Sequence, residues 1–153
     1  MRALSVIAVA CAGAWLGIVC FFSFAVAPTL FRMVERTTAG EAVAVVLPRY
    51  YTSGLVLSVV ALLALLLRLA REPRGARRAD VISCVVATAL VGVLAWSLFG
   101  LLPGAEAARR ARNNTAFAVA HRQAVSLNLA AMVCSLALLG VEAFRRERRA
   151  PTG

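Results

Sequence analysis

The sequence contains no lysine, one histidine and only seven acidic residues, so all 17 of its basic residues are arginine. It has no Ser-His-Asp combination, no glycine-rich phosphate loop and no pair of carboxylates inside an apolar segment. A conventional zinc site needs about four ligands, three of them from protein even when catalytic, and His121 alone does not supply them. We therefore predict no catalytic centre, no metal site and no cofactor.

The cysteines do not form a recognisable redox or metal motif. No C-x-x-C pair is present, and each cysteine stands singly within an apolar block: Cys11, Cys20, Cys84 and Cys134. Free cysteine packs as a small hydrophobic side chain. We therefore expect these residues to fill space between helices.

Hydrophobic residues make up 61% of the chain, and the mean hydropathy is +0.83. They gather into four blocks of the length that crosses a bilayer as helix: residues 4–30, 43–69, 81–102 and 117–144. A cleaved signal peptide is the alternative for the first block, but a signal core has only about 7–15 residues. The sequence predicts an all-α, polytopic membrane four-helix bundle running up-down-up-down, with a loop at 70–80 and a tail at 145–153.

The prolines suggest where the helices end or bend. Pro28 is expected to end the first span, and Pro103-Gly104 the third. Pro48 falls inside the second span, where it removes one hydrogen bond and predicts a kink. Phe24-x-x-x-Pro28 and Phe99-x-x-x-Pro103 form a short internal echo, which would fit two parallel hairpin repeats.

The net charge of +10 lies in the flanks of the spans and not in a nucleic-acid-binding stripe, so we expect a lipid bilayer as partner and no nucleic acid. Ten arginines belong to the amino terminus, the middle loop and the tail, whereas five lie in the other two flanks. The positive-inside rule then places both termini in the cytoplasm. The absence of lysine is typical of a GC-rich bacterial genome, so we expect the bacterial inner membrane.

The start of the fourth span carries the most unusual polar residues. His121 and Asn128 are seven residues apart and share a helix face. Arg49, Tyr50 and Tyr51 begin the second span at the same outer level. An imidazole, a fixed cation, phenols and an amide would suit an outward-facing pocket, so we predict a non-enzymatic protein that binds or passes a small solute or metal species.

Two other function classes remain open. In a structural or accessory protein, the tyrosines would form an aromatic belt, the arginines would snorkel, and Asn128 would hold helices together. A haem- or quinone-linked membrane oxidoreductase is the third class, since haem can take one axial histidine. Gly13-x-x-x-Gly17 permits close helix approach within the bundle or in a homo-oligomer.

Several landmarks together resemble the transmembrane protein 205-like family. They are the stretch from Phe21 to Arg32, Leu47-Pro48-Arg49-Tyr50-Tyr51 with Gly54, and the stretch from Phe117 to Asn128. The resemblance implies a small four-span membrane protein and no particular activity. Its family landmarks fall here on Pro28, Phe31, Pro48, Tyr50, His121 and Asn128. A hydroxyl usual three residues after the histidine is replaced by Ala124.

Overall fold

A computed structural model describes residues 2–71 and 77–147, and the regular elements within these ranges are all helical. In chain order the helices are α1 (Arg2–Phe21), α2 (Ala27–Met33), α3 (Arg36–Arg71), α4 (Arg77–Trp96), α5 (Leu102–Arg110) and α6 (Asn114–Glu147). A π-helical turn at Phe22–Val26 joins α1 to α2, and another at Ser97–Leu101 joins α4 to α5.

Four helical stretches are long and apolar enough to cross a bilayer: Arg2–Met33, Thr37–Arg71, Arg78–Arg110 and Asn114–Arg145. Each packs against two neighbours in a ring that follows the chain order. In the described parts of the diagonal pairs α1/α4 and α3/α6 the backbones do not approach closely, and α3 meets α6 through side chains. The predicted all-α four-helix membrane bundle is confirmed, and the protein is a multi-pass integral membrane protein.

The helices extend beyond the predicted spans into the connecting segments. Of the predicted loop 70–80, residues 77–80 already belong to α4, and residues 72–76 lie outside the described residues. Of the predicted tail 145–153, residues 145–147 continue α6, and residues 148–153 lie outside the described residues. Asp80 is therefore helical, in the first turn of α4.

Pro28 and Pro103 do not end their helices, and the predicted ends there are wrong. Each is the second residue of a new α-helix, α2 or α5, that follows directly on a π-helical turn. A proline ring crowds the carbonyl four residues earlier and has no N–H to donate to it. The wider π turn re-pairs the backbone, with the N–H of Ala27 bonded to the Phe22 carbonyl and that of Leu102 to the Ser97 carbonyl. The chain therefore passes each proline as a continuous helix.

Two other expectations concern helix shape and close packing. The α-helix of α3 runs unbroken through Pro48, and the kink expected there stays a prediction. A Cβ built on Gly13 or Gly17 would meet no atom within 4 Å. Neither glycine therefore mediates close approach inside the bundle, and their role in a homo-oligomer stays a prediction.

The two helical hairpins repeat one pattern of burial. Every buried residue of α1 has a buried counterpart 75 positions later in α4: Ser5, Ala8, Ala12, Trp15 and Val19 correspond to Asp80, Ser83, Ala87, Leu90 and Leu94. The two π turns and their prolines follow the same spacing. A spacing of 77 relates α3 to α6: Gly54, Ser58, Ala61, Leu65 and Arg68 correspond to Ala131, Ser135, Leu138, Glu142 and Arg145. This agreement supports two parallel hairpin repeats about an axis along the bundle.

Candidate functional site

Tyr50 and Asn128 meet across the bundle near the end of the spans that carries the π turns. Tyr50 lies on α3 and Asn128 on α6, and these helices are diagonal to one another. The Tyr50 hydroxyl donates to Oδ1 of Asn128 over 3.4 Å. Hydroxyl hydrogen bonds usually measure about 2.5–3.0 Å, so this contact is long and weak. Because it joins diagonal helices, it lies at the bundle axis.

The indole of Trp15 completes this arrangement from α1. Its ring centroid lies 5.0 Å from that of Tyr50, and the ring is fully buried. Gly54 makes the position possible, because a Cβ there would lie 2.6 Å from the indole. The Trp15 Nε1 donor has no hydrogen-bond partner among the described residues. We call Trp15, Tyr50 and Asn128 the polar layer.

Aromatic side chains enclose the polar layer. Phe22 lies 4.7 Å from Tyr50 between ring centroids, and Tyr51 lies 5.0 Å from it in an edge-on arrangement. Both tyrosines are buried, with exposed fractions of 5% and 2%. Tyr50 and Tyr51 are thus core residues rather than members of an exposed aromatic belt.

The other predicted site residues lie outside this contact. His121 is exposed, and its ring stacks on Phe117 with centroids 6.5 Å apart. Arg49 and Arg122 are also exposed. An open surface depression of 360 Å³ is lined by Trp96, Arg122, Gln123, Ser126 and Leu127, none of which belongs to the polar layer. The structure therefore brings Tyr50, Tyr51 and Asn128 together and leaves the imidazole and both cations outside.

The opposite end of the bundle contains a buried group of four charges that sequence reasoning missed. We call Arg68, Asp80, Glu142 and Arg145 the charge cluster. Arg68, Asp80 and Glu142 are at most 1% exposed, and Arg145 is 8% exposed. Two positive and two negative side chains balance each other, which is how a protein accommodates charge away from water.

Arg68 is the hub of the charge cluster. Its Nη1 and Nη2 donate to the two carboxylate oxygens of Glu142 over 2.6 and 2.7 Å. Nη2 also lies 2.6 Å from Oδ1 of Asp80, a close ion pair although its angles fall outside those of a hydrogen bond. Nη1 donates to the Ser5 hydroxyl over 2.9 Å. A guanidinium suits this role because it presents several donors in one rigid plane.

Arg145 and two serines complete the network. Arg145 lies 3.3 Å from Oδ1 of Asp80 through its Nε, and its Nη1 donates to Ser5 over 3.3 Å. The Ser83 hydroxyl donates to Glu142 over 2.8 Å. Ser5 belongs to α1, Arg68 to α3, Ser83 to α4 and Glu142 to α6, so the charge cluster and its serines join all four spans.

The sequence did offer a signal for the charge cluster. Glu142 and Arg145 are three residues apart near the end of the fourth span, and so share a helix face. Only seven acidic residues occur in the chain, which makes a carboxylate within an apolar segment unusual. Sequence reasoning assigned these charges to flanks, because each lies within a few residues of the end of an apolar block.

No three histidine, cysteine, aspartate or glutamate residues in the described ranges are placed to hold a metal ion. The four cysteines are free thiols spread over three helices, and Cys84 is buried. The candidate sites therefore consist of the polar layer and the charge cluster.

The model of the family "Domain of unknown function (DUF4149)" matches residues 10–114. The chain belongs to this family. The matched region includes Trp15, Tyr50, Arg68 and Asp80 and ends before α6 contributes Asn128 and Glu142. Both candidate sites of this DUF4149 protein therefore combine residues inside the match with residues after it.

A relative from Aquifex aeolicus, described as an uncharacterized protein, is 48% identical to the chain over 48 residues. The aligned segment is 31% of this chain and 36% of the relative. The chain thus spans about a third of the length of the curated relative that it matches. No solved structure matches the DUF4149 chain.

Proposed function

We propose that this protein is a non-enzymatic membrane protein that binds a small solute at the polar layer. The observation that carries the proposal is the Trp15 Nε1 donor, which is fully buried and unpartnered among the described residues, beside the long contact between Tyr50 and Asn128. A buried donor without a partner costs about 1–3 kcal/mol. A bound acceptor would remove that cost.

The chemistry of the polar layer favours a hydrogen-bond acceptor as ligand. An indole N–H donates only, whereas the phenol and the amide can both donate and accept. A carbonyl, ether or anionic oxygen could accept from Trp15 and shorten or replace the 3.4 Å contact between Tyr50 and Asn128. The unpartnered donor disfavours a bare metal cation, so we prefer a small solute to a metal species. Arg49, His121 and Arg122 would form the rim of the site.

A structural or accessory role is the second candidate, because the charge cluster ties the four spans together. The two roles differ in what a substitution changes. At a ligand site, loss of the Tyr50 hydroxyl removes binding with little loss of stability, because its contact with Asn128 is long. In a purely structural layer, stability falls and no bound mass exists to be lost.

We further infer the membrane placement and the family relationship. The excess of arginine at the amino terminus, middle loop and tail supports cytoplasmic termini in a bacterial inner membrane. The proline, tyrosine, histidine and asparagine landmarks support a place among the transmembrane protein 205-like proteins within DUF4149.

The experiment is an intact native mass spectrum of the detergent-purified protein with its visible spectrum. We expect a bound mass in the wild type that is lost in Trp15→Phe, which keeps a ring and removes the N–H. The matched control is Trp96→Phe, because Trp96 is 64% exposed and lies outside the polar layer. A wild-type spectrum without bound mass would favour the structural role. A Soret band would favour a haem protein.

A further inference from the structure

The two polar sites lie at opposite ends of the same axis. Asn128 and Glu142 are fourteen residues apart on α6, or about 21 Å at roughly 1.5 Å per residue. The hydrocarbon core of a bilayer is about 30 Å thick, so at least one of the two sites lies several ångströms inside it. Groups of this polarity inside the hydrocarbon are usually functional.

The segment between the two sites combines small and large buried side chains. Ala8, Ala12, Ala61 and Ala87 share one core cluster with the fully buried leucines Leu65 and Leu138. The hydroxyls of Ser58 and Ser135 donate to carbonyls of their own helices, those of Gly54 and Ala131. Because the two leucines are fully buried, a path between the sites requires the helices to move apart.

The charge cluster sits where the two repeats meet. Ser5 and Asp80 occupy equivalent positions in the repeat, and so do Arg68 and Arg145. Each arginine contacts both members of the other pair. The cluster is therefore centred on the axis between the hairpins.

The distribution of charge between the hairpins is unequal. The first hairpin supplies only the cation Arg68 to the cluster, whereas the second supplies Asp80, Glu142 and Arg145. Opening the bundle between the hairpins at this end would pull a single positive charge away from a single net negative charge. That separation is very costly in a dry interior and much less costly once water enters, because water screens and solvates the charges. The two hairpins therefore stay together at the charge cluster while it is dry, and they can separate there once water enters.

We propose that the solute passes between the two hairpins, and that the charge cluster is the gate that closes this path opposite the polar layer. The inference rests on the proposed solute site. It assigns the protein a transport function in addition to binding. The paired π turns at Phe22–Val26 and Ser97–Leu101 support it, because π turns are frequent at functional sites and prolines at corresponding places in two repeats are typical of transporter binding sites.

The first test measures leakage through the purified protein in liposomes loaded with the pH-sensitive dye pyranine. Wild-type protein should hold a proton gradient. Arg68→Met should dissipate it at least about ten-fold faster, because Glu142 is left buried without its main partner and draws in water. The double variant Arg68→Met/Glu142→Met should be as tight as the wild type, because the remaining Asp80–Arg145 pair is neutral and the new side chains are apolar. Equal leakage of the wild type and Arg68→Met would overturn the gate.

The second test uses Cys84 as a reporter, since it is buried one residue from Ser83, which donates to the charge cluster. Its modification by a membrane-impermeant maleimide is followed with the other three cysteines replaced by alanine. Labelling should be slow in the wild type and double variant and fast in Arg68→Met. A matched protein that retains only Cys134, which packs against the core cluster that contains Tyr50 and Tyr51, should label no faster with Arg68→Met. Faster labelling at both positions would mean general loosening and would overturn the gate.

Native mass spectrometry shows whether the solute site fails independently of the gate. Arg68→Met should keep the bound mass in native mass spectrometry, whereas Asn128→Leu should lose it and leave Cys84 labelling slow. A wild-type protein without bound mass would contradict the proposed solute site, whatever the leakage measurement shows. A bound mass in the wild type, together with an Arg68→Met protein that leaks no faster than the wild type, would support the solute site and overturn the gate.

Discussion

Arg68 and Glu142 face each other across the diagonal of the bundle, joined by two hydrogen bonds of 2.6 and 2.7 Å. Both side chains are buried, so each neutralises a charge that the bilayer would otherwise exclude. The pair joins the first hairpin to the second. Its integrity should therefore govern both the stability of the bundle and the closure of one end.

Substitution of Arg68 should destabilise the protein strongly. Arg68→Met leaves Glu142 and Asp80 with less positive charge, and breaking a buried pair from one side costs about 3–5 kcal/mol. Arg68→Lys should recover only a fraction of the loss, because an ammonium cannot bind a carboxylate through two parallel donors. The measurement is loss of the helical circular dichroism signal on heating in detergent.

The control for that experiment is Arg110→Met. Arg110 pairs with Glu106 over 2.9 Å but is 77% exposed, and exposed pairs contribute little. Its melting temperature should match that of the wild type. An equal fall in melting temperature in Arg68→Met and Arg110→Met would contradict the conclusion that burial makes the Arg68 pair important.

Gly54 should not tolerate a side chain. In Gly54→Ala the new Cβ would lie 2.6 Å from the Trp15 ring, and overpacking of this kind costs about 1–3 kcal/mol. The indole should also shift, which the emission of Trp15 in a Trp96→Phe background would report. Gly40→Ala, on the same helix with no atom within 4 Å, should be neutral or slightly stabilising.

Removal of the Tyr50 hydroxyl should abolish ligand binding and leave the stability of the protein nearly unchanged. Tyr50→Phe loses the 3.4 Å contact with Asn128, and interhelical hydrogen bonds in membrane proteins average about 0.6 kcal/mol. We expect a small fall in melting temperature and complete loss of the bound mass. Tyr51→Phe removes a neighbouring phenol outside the polar layer and should keep the bound mass. Retention of the mass in Tyr50→Phe would place the ligand elsewhere.

Both termini should face the cytoplasm. Four spans place the two ends on one side, and the richer arginine flanks assign that side. A carboxy-terminal green fluorescent protein fusion should fluoresce in a bacterial host, and an alkaline phosphatase fusion at the same place should be inactive. The opposite pair of results would invert the topology, and the rim residues near His121 would then face the cytoplasm.

The charge cluster shows why some features of this protein could not be read from its chain. Arg68 and Glu142 are 74 residues apart, and each resembles an ordinary charge at the end of an apolar block. Two members of the polar layer were predicted, because Tyr50 and Asn128 stand out in apolar surroundings. Trp15 was missed, since a tryptophan in a span has no local feature that shows whether its N–H finds a partner.

The sequence by itself determined four membrane helices and their alternation, because hydropathy and length act locally along the chain. The proline spacing indicated a repeat, and the burial pattern of the structure supports it. Only the tertiary structure decided that Pro28 and Pro103 lie within continuous helices, since the π turns re-pair the backbone around them. It also decided which polar groups meet: Tyr50 with Asn128, and Arg68 with Asp80 and Glu142. These pairings depend on how each helix is rotated about its own axis in the bundle, and that rotation is set by packing between distant segments.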